Sequence, residues 1–214
     1  DSRDTHGQRD IVTAAEFDSF ELAWEWKISP GGNSGVKYLV IEDRPQSPGH
    51  EYQMIDDTGY PGKLKTEQLT AAFYDVLPAE NRALRAAGQW NQSRVVSNGK
   101  TVEHYLNGTK VLQYELESPA LRAAIAKSKF KDIARFGKLQ NGFILLQDHG
   151  DRVWYRNVKV RRLPATGGTA AQAAAKGVQI VANDAGKRVD ITIDGKPFTS
   201  YIYPESLKKP VLFP

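Results

Sequence analysis

The chain reads as an all-β protein, a sandwich or barrel of short antiparallel strands. Three observations carry this. Phe20–Ile28 (FELAWEWKI) alternates strictly, with Phe20, Leu22, Trp24, Trp26 and Ile28 on one side and Glu21, Ala23, Glu25 and Lys27 on the other. A strand with one buried face requires that period. Two Asn-Gly pairs, Asn98–Gly99 and Asn107–Gly108, lie nine residues apart between alternating segments. Asn-Gly suits the positive φ angles of the tightest hairpin turns, so the stretch reads as a β-meander. Gly, Pro and Asn turns recur at intervals that give about nine or ten strands in all.

Taken in order, Asp1–Asp10 is a polar lead-in and Ile11–Val12 a short strand. After Phe20–Ile28 comes a glycine-dense turn, Ser29–Gly35, then a strand at Val36–Ile41. That turn lets the backbone approach a ligand closely. No helix follows it, so it lacks the helix N-terminus of a phosphate site. Gly49–Tyr60 (GHEYQMIDDTGY) brings three carboxylates, a histidine and an amide into twelve residues. In its strand Glu51, Gln53 and Ile55 share one face, and Tyr52 and Met54 the other. Phe73–Leu77 is a short strand stopped by Pro78, and Asn81–Gly88 a polar loop or helical turn.

Trp90–Val96, Thr101–Leu106 and Lys110–Tyr114 form the meander. Ser118–Phe130 changes period: Ser118 is placed to cap, Pro119 to open, and Leu121, Ala124 and Ile125 to bury one side of a short helix. Gly142–Gln147 is apolar on both faces, as a central strand would be, and Arg152–Leu163 is a long last strand. Pro164–Gly177 is an Ala/Gly/Thr-rich linker. Val178–Val181 and Val189–Ile193 are two further strands, and Asp194–Gly195 is a turn. The organisation is therefore a β-sandwich over 1–163, a linker over 164–177, and a short β-hairpin extension over 178–214. The extension is too short for a core of its own. It reads as a hairpin docked on the sandwich, the start of a second domain, or a surface for pairing with another copy.

Composition removes several classes. The 214 residues are 40% hydrophobic and 25% charged, enough for one sizeable core. The net charge of +4 is spread along the chain, against a nucleic-acid partner, which needs basic residues on one face. There is no cysteine, which excludes disulfides, thiolate zinc sites and cysteine nucleophiles. No apolar run approaches the ~20 residues of a membrane helix. No signal peptide is visible, and a mature or trimmed chain would have lost one.

Six blocks occur in order: Phe20–Gly35, His50–Asp57, Trp90–Arg94, His104–Gly108, Ile144–Gly150 and Trp154–Arg161. Together they resemble the 3-keto-disaccharide hydrolase family, formerly a domain of unknown function, over roughly Ile11–Leu163. The resemblance implies a concanavalin A-like jelly roll with one short helix, and an exported bacterial protein, periplasmic or extracellular. The family's usual N-terminal Phe-x-Gly-Lys-x-Leu-x-x-Trp block is missing, so a first strand or two is expected to be trimmed. Val189–Pro214 resembles the opening of the PmoA-like family.

The implied substrate is an oxidised glucoside or disaccharide. A ketone at C3 acidifies the C2 proton, so a base can start cleavage of the bond at C1, as a hydrolase or an eliminase. The route needs a base, an acid, and a positive or hydrogen-bonding group near the C3 oxygen. Glu51 and Asp57 are candidate bases, and His104 and His149 candidate acids, bases or metal ligands. Gln53, Asn91, Gln147 and Arg156 suit sugar hydroxyls or an oxyanion, while Tyr74, Trp90 and Trp154 suit stacking on a ring. By ligand type Glu51, His104 and His149 also suit a divalent metal ion, although no short ligand motif is present.

Plainer readings stand beside these. His104 lies between Val102 and Leu106 on its strand face, as a core histidine would. His149 suits a cap of its QDHG turn. Asp56 and Asp57 precede Thr58–Gly59 as turn formers, Asn107 belongs to its hairpin, and Asn33 shapes the glycine-rich loop. The alternatives to an enzyme are a non-catalytic carbohydrate-binding module and a structural β-domain, since one fold hosts all three.

Overall fold

The computed structural model describes residues 10–41 and 48–164 in full, and the backbone of four further strands over 178–183, 188–193, 196–202 and 211–213. Two compact units are present, Asp1–Thr166 and Gly167–Pro214. The lead-in before Asp10 and nearly all of the expected linker lie outside the described residues.

In the first unit the strands are β1 (Ile11–Val12), β2 (Phe20–Ile28), β3 (Asn33–Val40), β4 (His50–Ile55), β5 (Asn91–Asn98), β6 (Thr101–Leu106), β7 (Thr109–Glu115), β8 (Phe143–Leu146) and β9 (Val153–Arg162). They form two antiparallel sheets, in the orders β1-β8-β3-β4 and β7-β6-β5-β2-β9. The strict alternation of β2 is realised: its aromatic and aliphatic face is buried and its charged face half-exposed. One short helix, α1 (Pro119–Ile125), opens where Ser118 Oγ accepts from the Leu121 amide at 3.1 Å, and it buries Leu121 and Ile125. In the second unit the expected hairpin is extended to four antiparallel strands, β10 (Val178–Asn183), β11 (Arg188–Ile193), β12 (Lys196–Ile202) and β13 (Val211–Phe213), in sequential order.

Three local expectations change. The first hairpin turn is Gly99–Lys100 rather than Asn98–Gly99, because Asn98 ends β5 opposite Thr101 and Gly99 alone takes the positive φ, 57°. The strand of the glycine-rich turn begins at Asn33 rather than Val36. Phe73–Leu77 is no strand but part of a strap along the edge of β4. The strap is held by Gln53 N–H to the Ala72 carbonyl (3.2 Å), Ala71 N–H to the Gln53 carbonyl (2.8 Å) and Tyr74 N–H to the Glu51 carbonyl (3.0 Å). Ala71 and Asp75 sit at φ 69° and 60°, a region that interrupts extended backbone and is sparsely used by such residues.

The sheets meet through Phe20, Leu22, Trp24 and Trp26 on one side and Val36, Tyr38, Tyr52 and Met54 on the other. A polar chain runs through this core. Gly137 N–H donates to His50 Nε2 (3.1 Å), so His50 carries its proton on Nδ1 and donates it to the Tyr114 hydroxyl (2.8 Å). At the far end His104 Nδ1 must donate to the Ala71 carbonyl (2.7 Å), leaving Nε2 to accept from Tyr38 (2.6 Å). Tyr114 then donates to Tyr38 (2.8 Å), and every bond has one direction. Burial holds both imidazoles neutral: His50 is lowered to about 3, helped by His104, and His104 to about 4 despite the Ala71 carbonyl. The Tyr38→Phe variant strands the Tyr114 hydroxyl and His104 Nε2 at once. Its expected loss is about 2 kcal/mol, chiefly the cost of leaving buried polar groups unsatisfied, read as a lower urea midpoint.

Candidate active site

The four-stranded sheet has a second face, turned away from the core, and strand register decides which residues occupy it. Directly opposed residues of an antiparallel pair share a face. Glu51 of β4 opposes Lys37 of β3, which opposes Leu145 of β8; Gln53 opposes Gly35, and Ile55 opposes Asn33. Gln147 follows on, its amide donating to the Gly35 carbonyl at 2.9 Å.

Glu51 is only 6% exposed. Its side chain leans across Gly35, where a Cβ would come within 2.5 Å of Oε1. Burial pushes its carboxyl above the usual range, and Lys37 and Lys129 only partly oppose this. Among the described residues no donor is hydrogen-bonded to it. Around it stand amides with unused acceptors. Gln53, 1% exposed, donates Nε2 to the Gln68 carbonyl (3.3 Å) but leaves Oε1 unpartnered. Asn33, 9% exposed, donates Nδ2 to His149 Nε2 (3.4 Å) and leaves Oδ1 unpartnered, as Gln147 does its Oε1. Buried acceptors are almost always satisfied. Three on one sheet face imply a ligand or water that donates.

The strap forms one wall. Tyr74 is raised to about 12 by burial and by the neighbouring Glu51 and Asp75 carboxylates. Lys129 places its ammonium 4.4 Å from the Tyr74 ring centre. Asp75 accepts from Gln68 Nε2 (3.0 Å) and the Lys129 amide (2.9 Å), tying both to the wall. A cavity of about 480 Å³ at the sandwich edge is lined by Gln147, Asp148, Asp151, Trp154 and Tyr155 among others.

Of the residues expected at a site, Glu51, Gln53, Tyr74, Gln147 and His149 therefore belong to this face or its rim, and Trp154 shares a cavity with Gln147. Others are elsewhere. His104 is on β6 of the five-stranded sheet, turned into the core with both ring nitrogens engaged. Asp57 accepts from the Thr70 amide (2.8 Å) and pairs with Arg82, which latches the strap's approach. Asn91 is held by the Arg85 backbone and Asn107. Trp90 and Arg156 stack at 3.9 Å on the outer face of the other sheet, with Arg156 bonded to Glu25. The expected metal set does not assemble: Glu51 is on the outer face of the β1-β8-β3-β4 sheet, His104 points into the core from the other sheet, and among the described residues no three His, Asp or Glu side chains converge. Lys37 and Lys129 join the site without any sequence signal that pointed there, and Gly35 and Asn33 join it from the glycine-rich turn. Only register sets Lys37 opposite Glu51 and Gly35 opposite Gln53.

Residues 1–161 match the family model described as a 3-keto-alpha-glucoside-1,2-lyase-like domain. The chain belongs to this family. A 3-keto-disaccharide hydrolase of Bacteroides thetaiotaomicron is 35% identical over 180 residues, 72% of this chain and 62% of the relative's length. A crystal structure from Parabacteroides distasonis, assigned provisionally as a glycosyl hydrolase, is 33% identical with a TM-score of 0.68, covering 72% of this chain and 74% of that one. A second structure from the same organism, similarly assigned, is 28% identical with a TM-score of 0.58, covering 72% and 83%. The lyase-like domain has the expected jelly-roll fold, two antiparallel sheets and one short helix.

The raised Glu51 carboxyl has a consequence for stability. The folded state holds this proton to higher pH than the unfolded chain does. Stability from this group is therefore complete below about pH 4 and is lost as pH rises towards the folded value. The Glu51→Gln variant cannot ionise. It is expected to unfold at a higher temperature than the wild type near neutral pH, with the gap closing towards about pH 4, measured by thermal scans across pH.

Proposed function

We propose that this domain cleaves the glycosidic bond of a sugar oxidised to a ketone at C3, with Glu51 as the base. The observation that carries the reading is Glu51 itself: a buried carboxylate with a raised proton affinity, lying among unpartnered amide acceptors on one sheet face. A base works best when its proton affinity lies near the working pH. Acceptors without partners suit a ligand rich in hydroxyl donors. The names of the family model and of the Bacteroides relative supply the oxidised substrate.

Glu51 takes the C2 proton, and the C2–H electron pair moves to make an enolate with its charge on the C3 oxygen. The ketone then re-forms as the C1–O bond breaks. The departing oxygen takes a proton from water, and a C1=C2 double bond is left beside the ketone. Water adding across that bond completes a net hydrolysis. The route does not require the paired carboxylates of ordinary glycosidases, and none of its steps is assigned to a metal ion.

The second reading, carbohydrate binding without cleavage, draws on the same unpartnered amides and on Trp154, 40% exposed at the neighbouring cavity. A 3-keto-glucoside with a nitrophenyl aglycone, in both anomers, separates the two. The wild type is expected to release nitrophenol from the ketone and not from the parent glucoside. The Glu51→Gln variant is expected to be slower by about 100-fold or more, given what a positioned base contributes, with an unchanged circular dichroism spectrum. Binding without release, or equal release by the variant, overturns the catalytic reading.

A further inference from the structure

Lys37 and Glu51 are direct cross-strand partners. Opposite charges in that relation ordinarily close into an ion pair. Here they do not touch: the carboxylate is turned along its sheet face to lie over Gly35, and Lys37 reaches it only through space. Gly35 makes this possible. Its φ lies outside the left-handed region, so the backbone does not demand glycine there. The three heavy atoms nearest to a Cβ at Gly35 all belong to the Glu51 side chain, the closest at 2.5 Å. The missing side chain is therefore room for the carboxylate. The half-buried Lys37 ammonium makes no hydrogen bond or ion pair of its own among the described residues. A lysine and a carboxylate that share one sheet face without pairing set a base and a positive charge beside each other there.

We propose that this part of the sheet face is the reacting subsite, with Lys37 the catalytic residue that holds the C3 oxygen as it becomes an enolate and Gly35 the positioning residue that keeps Glu51 from closing onto Lys37. This rests on the proposed cleavage of 3-keto-glycosides. The atoms and electrons of that step balance as before: Glu51 gains the C2 proton, the electron pair reaches the C3 oxygen, and Lys37 keeps its own protons while stabilising the charge. A preorganised donor aimed at developing negative charge is worth roughly 100- to 1000-fold in rate. The titratable groups facing Glu51 are Lys37 on β3, Lys129 after α1, Asp10 ahead of β1, Tyr74 on the strap and Tyr155 on β9. Of these only Lys37 is its cross-strand partner.

The test uses the full chain, the nitrophenyl 3-keto-glucosides, and the variants Lys37→Met, Lys37→Arg, Gly35→Ala and Gly35→Ala/Lys37→Met. Lys37→Met is expected to lower kcat by about 100-fold with little change in KM, and Lys37→Arg to recover part of the loss. Gly35→Ala is expected to push Glu51 towards Lys37. The ion pair then favours the charged carboxylate, so the acid limb of kcat/KM moves to lower pH and the plateau falls. The double variant returns the limb upward. Thermal unfolding supplies a readout free of turnover, because Gly35→Ala should flatten the wild type's loss of stability with rising pH. An active wild type whose Lys37→Met variant stays within about fivefold overturns the lysine's role and leaves the proposed activity standing. An unmoved acid limb and unfolding profile in Gly35→Ala overturn the spacing role. A wild type that releases no aglycone overturns the activity and this inference together.

Discussion

The buried chain from Gly137 through His50, Tyr114, Tyr38 and His104 to Ala71 is the constraint on which the rest of the domain depends. Its ends are a backbone donor and a backbone acceptor, so the direction of every bond between them is set. Its three middle bonds each cross from one sheet to the other, since Tyr38 and His50 belong to β3 and β4 while His104 and Tyr114 belong to β6 and β7. Hydrophobic contact alone tolerates sliding; a directional chain of this kind accepts one register. Its terminal acceptor is also the residue at which the strap turns, so the wall beside Glu51 is anchored from inside the core.

β4 is consequently a strand with two unlike faces. Its core face (His50, Tyr52, Met54) is packed and polar-satisfied, with Tyr52 accepting from Ser93 and donating to the Tyr105 carbonyl. Its other face carries Glu51 and Gln53, equally buried yet left with an unneutralised carboxyl and an unpartnered oxygen. The same strand thus holds satisfied and unsatisfied buried polar groups a single residue apart. Such local conflict in an otherwise consistent fold is where function concentrates, because groups awaiting a ligand cannot also be spent on the folded state.

The sandwich was largely legible from residue order. The period of Phe20–Ile28, the Asn107–Gly108 turn and the Ser118–Pro119 helix start are local signals, and local chemistry realises them. The strap reads as a strand in sequence because its positive φ angles at Ala71 and Asp75 fall on residues that give no warning of them. The site was half legible. Glu51 and Gln53 stood out as polar residues sharing one strand face, whereas Lys37 did not, being one more lysine on a strand until register set it opposite Glu51. His104 carried the right chemistry but faces the core from the other sheet, and its apolar neighbours Val102 and Leu106 were the truer signal.

What the sequence determined by itself was the all-β class, the meander, the single helix and the two-faced character of Gly49–Tyr60, since each follows from periodicity and turn chemistry within a few residues. Only the tertiary structure decided which polar residues meet. Glu51 and Lys37 are 14 positions apart, and Tyr38 and His104 are 66. A one-residue slip in register would exchange the faces of either strand. The pairing of β3 with β4 puts a carboxylate and an ammonium on the outer face, and the packing of one sheet on the other encloses His50 and His104 within.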